Sequence, residues 1–202
     1  EAVRCLYSGV ARLRVFARSA VLKRFPAKTG LLLYLFEKIV DALRTGRLST
    51  KGAPTVLVRG CDHRSTTQVT VAGDAVLVWQ EVVVLGRHAE PAGSLLQRLQ
   101  VDVGGRPALR NDLAVGPRWP GSQGPAGVGD VRAVGTAVLV NVAPDEDALA
   151  GSSGVRGAAL RLGPGTDTWL VSVLALSAEA VTTALARATA TSARSPSPAT
   201  IS

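Results

Sequence analysis

Methionine is absent from the 202 residues and cysteine occurs twice. Two cysteines exclude a disulfide-built scaffold and a four-cysteine zinc module. Aromatics make up only 4% of the chain, so a core must be assembled mainly from Val, Leu and Ala. Long apolar runs are missing too: the longest at the start, Gly30 to Phe36, falls far short of the ~20 residues that span a bilayer, so no transmembrane segment is read. The basic start is not followed by an apolar stretch with a clear small-residue cleavage site, so no secretion signal is read either. Walker A, G-x-G-x-x-G, H-E-x-x-H and G-x-S-x-G patterns are absent, which removes the usual signatures of nucleotide hydrolysis, dinucleotide binding, zinc proteolysis and serine hydrolysis. A chain that starts at Glu1 without Met reads as part of a longer or fused reading frame.

What is present is unevenly distributed. Lys+Arg total 23 against Asp+Glu 15, a net charge of +8. Residues 1–52 hold 11 basic and 3 acidic side chains, and the remainder holds 12 of each, so the whole excess sits in the first quarter. Every Tyr and Phe lies there, and Trp79, Trp119 and Trp169 all lie after it. Hydrophobic residues at 47% exclude wholesale disorder. Residues 1–52 are expected to be a basic two-helix segment. Val3, Leu6, Tyr7, Val10, Leu13, Ala17, Ala20 and Val21 recur at helical spacing, and Leu32, Leu35, Phe36, Ile39 and Leu43 form a second stripe. Pro26 ends the first and Gly46 the second.

Residues 53–191 read as a mostly antiparallel all-β domain. Thr66–Ala72 and Ala75–Leu85 flank a Gly73-Asp74 turn and predict a hairpin. Leu95 to Val103 alternates with period two, Gly104-Gly105 turns, and Ala108–Val115 returns as a second hairpin. Residues 116–130 are a Gly/Pro-rich loop. Ala133–Val142, Ala158–Leu162 and Trp169–Leu176 complete the strands. Ser177 caps a C-terminal helix from Ala178 to about Ala190, with Glu179 in its first turn. The Ser/Pro-rich tail, 192–202, is expected to be disordered.

Two polar clusters are candidate sites. Cys61, Asp62 and His63 bring a thiolate, a carboxylate and an imidazole together, ligands suited to a borderline divalent metal. Period-two alternation puts Cys61 and His63 on one side and Asp62 on the other, so a complete site needs another ligand, and His88 is the candidate. The competing reading is a loop entering a strand, with Asp62 bonding backbone and Cys61 half-buried. A Cys/His nucleophile pair ranks last because no orienting residue accompanies it. In the second cluster, Arg87 is suited to hold a carboxylate as a fork, with Glu90 a local partner.

Gly60-Cys61-Asp62-His63-Arg64 followed by Thr67-Gln68-Val69-Thr70-Val71 resembles the urease accessory protein UreD (UreH) family, in particular its actinobacterial members. So do Ala75 to Glu81, Gly86 to Pro91 with Gly93, Val101 to Gly116, and Val131 to Gly135. The resemblance covers about 52–190, and the family's N-terminal half is expected to be missing or replaced. It implies a β-rich, non-enzymatic scaffold in the cytoplasm that binds UreF, and through it UreG and apo-urease. No cofactor is held permanently; nickel passes as transient cargo toward urease. Cys61, Asp62, His63 and His88 are the expected transient nickel contacts, and Arg87 and Glu90 fix a loop or touch a partner. The alternative is a β-module recruited to an anionic membrane or nucleic acid by the basic helices.

Overall fold

Alternation of apolar residues with period two governs most of this chain, and it produces two facing sheets in the computed structural model. The structure describes residues 6–16, 19–23, 47–150, 153–163 and 167–190. The first sheet runs β2 (Ser19–Lys23), β1 (Leu6–Phe16), β5 (Asp62–Val71), β7 (Ser94–Val103), β8 (Arg106–Val115). The second runs β10 (Val155–Arg161), β11 (Thr168–Ala175), β9 (Ala133–Val140), β6 (Val76–Val84), β3 (Arg47–Lys51), with β4 (Thr55–Val56) also along β6. Among the described residues five strand pairings are antiparallel and four parallel. Two helices, α1 (Asp147–Ala150) and α2 (Ala178–Ala188), pack on the outer face of the second sheet. The all-β class with a C-terminal helix is therefore present, and among the described residues no helix is long and apolar enough to cross a membrane.

Side-chain parity assigns the layers. Along β6, Leu77, Val83 and, just past its end, Leu85 turn toward the first sheet, while Val82 turns toward α2. On β9, Val134, Val138 and Val140 face the first sheet, and Ala133, Ala137 and Leu139 face the helix. β9 is buried on both faces throughout, which is why its sequence is an uncharged run dominated by small and β-branched residues. Each fully buried Leu or Val in these layers contributes roughly 1.5–3 kcal/mol of transfer free energy. Ser177 caps α2 as expected, its Oγ accepting from the Ala180 N–H at 3.1 Å. Gln80 Nε2 donates to Thr189 Oγ1 at 2.6 Å and ties the end of the helix to β6.

Two expectations are corrected. The helix expected over Val3–Val21 is replaced by β1 and β2. Leu13 and Val15 also alternate with Arg12 and Arg14, so this stretch satisfies period two as well as a helical period. Ten register partners on β5, from Leu6↔Asp62 to Val15↔Val71, decide for the strand. The basic helix on which recruitment to a membrane or nucleic acid rested is thus absent there. The second expected helix, 32–43, lies outside the described residues. The hairpin expected around Gly73-Asp74 is an arch instead. β5 pairs with β1 and β7, whereas β6 lies in the other sheet. Each strand turns a buried apolar face inward, and those faces meet across the core rather than lying side by side. The β7–β8 hairpin forms as expected.

Candidate functional site

The first candidate cluster sits where β5 begins, and its members are engaged in building that corner. Cys61 is buried among Leu57, Leu85 and Leu95, and its carbonyl accepts from the Ser94 N–H at 2.7 Å. Gly93 presses against it: a methyl there would run into Cys61 Sγ and the Val58 carbonyl. Asp62 points the other way, accepts from Arg118 Nη1 and stands 4.0 Å from Arg64. It therefore pins the Gly/Pro-rich loop, whose Arg118 N–H also donates to Ser94 Oγ at 3.1 Å. His63 is half-buried on the inward side of β5, opposite Leu95. Burial pushes its pKa below the ordinary histidine value.

The second cluster occupies the β6–β7 connection. Arg132 Nη2 donates to the carbonyls of Arg87 at 2.5 Å and Glu90 at 3.0 Å, clamping the loop. Glu90 Oε1 accepts from the Arg59 N–H at 3.2 Å, and its Oε2 is buried without a hydrogen-bond partner. Arg87 contributes its carbonyl to this clamp; the ion pairs found among the described residues do not join its side chain to Glu90. His88 is exposed on the same loop. The end of this connection borders a concavity of about 330 Å³ lined by Leu85, Pro91, Asp130 and Arg132 among others. Among the described residues no three His, Cys, Asp or Glu side chains converge to hold a metal ion. The corner is thus a built loop junction with two imidazoles near it.

A third group, absent from the motifs singled out in the sequence, lies inside the sandwich. Glu81 is on the inward face of β6 between the two apolar inter-sheet clusters. Gln97 Nε2 donates to its Oε2 at 2.8 Å, and Thr67 Oγ1 approaches its Oε1 at 3.5 Å. Burial raises the Glu81 pKa to about 7. The nearby Trp79 indole and the Thr67 hydroxyl hold that rise back in part, although the indole N–H stops short of a hydrogen bond. In the strand registers Glu81 stands opposite Thr136, and Thr136 opposite Ser172. Thr136 is buried and Ser172 exposed. A row of hydroxyl, amide and carboxyl groups therefore crosses the core from an open side at Ser172 to Thr67 and Gln97. Its signal in the sequence is an acid at the inward parity of the run Val76 to Val84, on the same face as Leu77 and Val83.

Comparison with known proteins adds what geometry alone does not. The model of the UreD urease accessory protein family matches residues 40–200. The chain is 39% identical over 149 residues to the urease accessory protein UreD of Frankia alni, covering 64% of this chain and 48% of that protein. It is 36% identical over 139 residues to its counterpart in Parafrankia sp., covering 58% and 47%. Against urease accessory protein UreD 3 of Streptomyces griseus it is 46% identical over 87 residues, covering 43% and 34%. The chain spans about half the length, or less, of the curated relatives it matches.

Proposed function

This chain belongs to the UreD urease accessory protein family, and from that premise we propose that it is a non-catalytic scaffold assisting nickel insertion into apo-urease. It acts in the cytoplasm, binds UreF, and through UreF meets UreG and urease. Nickel is the cargo and is not retained. The observation that supports a metal path through this domain is the polar row ending at Glu81, a carboxyl group poised near neutrality inside an otherwise apolar sandwich. A carboxylate with amide and hydroxyl neighbours, and without thiolate or imidazole, holds nickel weakly, as release requires. His63 and His88 remain proposed transient contacts at the loop junction. Cys61 and Asp62 are less suited, since Cys61 is packed and Asp62 is committed to Arg118. Arg87 and Glu90 shape the loop that a partner would meet.

The test is activation of purified apo-urease by nickel in the presence of UreF, UreG and the 202-residue chain. Capture of UreF and recovery of urease activity are expected. Glu81→Ala should keep capture and lose most of the activation. A folded chain that captures no UreF would overturn the scaffold, and full activation by folded Glu81→Ala would overturn the path.

A further inference from the structure

Glu81 has a second flank, away from Thr136, and the strand that runs along it is broken there. β3 and β4 both lie beside β6, but the register passes from Lys51↔Gln80 to Thr55↔Val83, so residues 51 to 55 face only 80 to 83. The extra residue is taken up at Gly52, Ala53 and Pro54, all of them exposed. The Gly52 N–H donates to the Gln80 carbonyl at 3.4 Å, which extends the parallel ladder by one step and sets Gly52 opposite Glu81. Pro54 has no N–H with which to carry the ladder further. The interruption therefore falls beside the residue that bears the carboxyl group.

Partners in a parallel ladder turn their side chains to the same face. A side chain at position 52 would thus lie on the inward face, next to Glu81. Gly52 has none, and a methyl there would meet nothing within 4 Å among the described residues. Burial around Glu81 is uneven in the same sense. Thr67 on β5 is 5% exposed, Thr136 on β9 is 9% exposed and Val83, two places on along β6, is 2% exposed. Gln97 occupies Oε2 from the β7 side. Glu81 itself is only partly covered, and so is Trp79, which stands opposite Thr50 on the same flank. The Trp79 indole N–H has no hydrogen-bond partner among the described residues. The sides of Glu81 toward β5, β9 and the end of β6 are closed, which leaves the side toward Gly52.

We propose that the break at Gly52–Pro54 is a second mouth of the polar row, through which water and small divalent cations reach Glu81 from the flank opposite Ser172. A broken ladder presents backbone carbonyl oxygens, and these exchange readily with the water around a hydrated divalent cation. The row then has an opening at each flank, and an ion crosses the sheet without reversing. This use of the mouth rests on the reading of Glu81 as part of a metal path.

The test measures access to position 81 without urease. Glu81→Cys is placed in the 202-residue chain together with Cys5→Ser and Cys61→Ala, and its labelling by a small cationic methanethiosulfonate is timed. Gly52 has no positive φ and has room for a side chain, so Gly52→Leu fills the break without backbone strain. Gly52→Leu is expected to slow labelling about tenfold or more, because thiol reactivity follows access. Ser172→Leu should slow it less, since buried Thr136 stands between. Circular dichroism reports which variants fold. An unchanged rate in folded Gly52→Leu overturns the mouth, as does a larger effect of Ser172→Leu. If the Glu81→Cys chain does not fold, quenching of Trp79 by caesium ion decides, in a chain carrying Trp119→Phe and Trp169→Phe. A lower quenching constant on adding Gly52→Leu supports the mouth, and an equal one overturns it. The two readings fail separately: full activation of urease by Glu81→Ala removes the metal path and leaves the mouth, whereas unchanged labelling removes the mouth and leaves a path entered at Ser172.

Discussion

Glu81 makes its carboxyl proton a part of the folding equilibrium. Its pKa stands at about 7 in the folded chain, against 4.5 for the free side chain. The folded state thus holds the proton more tightly than the unfolded state. The contribution of Glu81 to stability is therefore fully present below pH 4.5 and is lost as pH rises through about 7, once an anion must sit in the core. That rise corresponds to a loss on the order of 3 kcal/mol. Glu81→Gln keeps the shape and removes the titration. Its urea midpoint at pH 8 is expected to exceed that of the parent, and the difference should vanish at pH 4. Equal midpoints at both pH values would show that the carboxyl is already solvated. At the same scale, Gly116 adopts φ +98°, and a methyl there would strike the carbonyl of Gly93. Gly116→Ala should cost about 2 kcal/mol or more, read as a fall in Tm. Both residues are recognisable in the sequence only after the strand faces are known. An acid in an apolar run and a glycine before Pro117 are common, and what distinguishes these two is what lies opposite.

At the scale of elements, α2 was readable almost to the residue. Ser177 as cap and Glu179 in the first turn both act within one helix. Ser177→Ala should therefore cost about 1 kcal/mol, measured by chemical denaturation, and an unchanged midpoint would mean the helix is held by packing alone. The β7–β8 hairpin was equally local: Gly104 and Gly105, at φ +57° and +80°, make the turn that two-residue hairpins favour. β1 was not readable, because Leu6–Phe16 fits a helix and a strand alike and its choice rests on β5, some fifty residues away. The arch between β5 and β6 failed for the same kind of reason. A Gly-Asp turn between two alternating runs marks a reversal but not the plane in which it happens.

At the scale of the molecule, that reversal is held by a residue from elsewhere. Asn141, itself at φ +57°, donates through Nδ2 to the carbonyls of Gly73 at 2.9 Å and Ala75 at 2.8 Å. Asn141→Gly should keep the backbone conformation and lose both bonds, costing about 1–3 kcal/mol; a neutral outcome in thermal melts would mean that the corner needs no clamp. The loop junction follows the same logic. The ion pair of Asp62 with Arg118 and the clamp of Arg132 on Arg87 and Glu90 join segments remote in sequence. Motif reading placed chemistry at Cys61, Asp62, His63 and His88. The structure turned Cys61 and Asp62 to construction, because one faces the core and the other a neighbouring loop. Short-range order and local composition were enough for most strands from residue 62 onward, the β7–β8 hairpin, the C-terminal helix and the family resemblance. Which sheet each strand joins, the strand fate of β1, the polar row at Glu81 and the ladder break beside it were decided by tertiary structure. Each depends on which apolar face finds which partner, and that free energy is released only when distant segments pack.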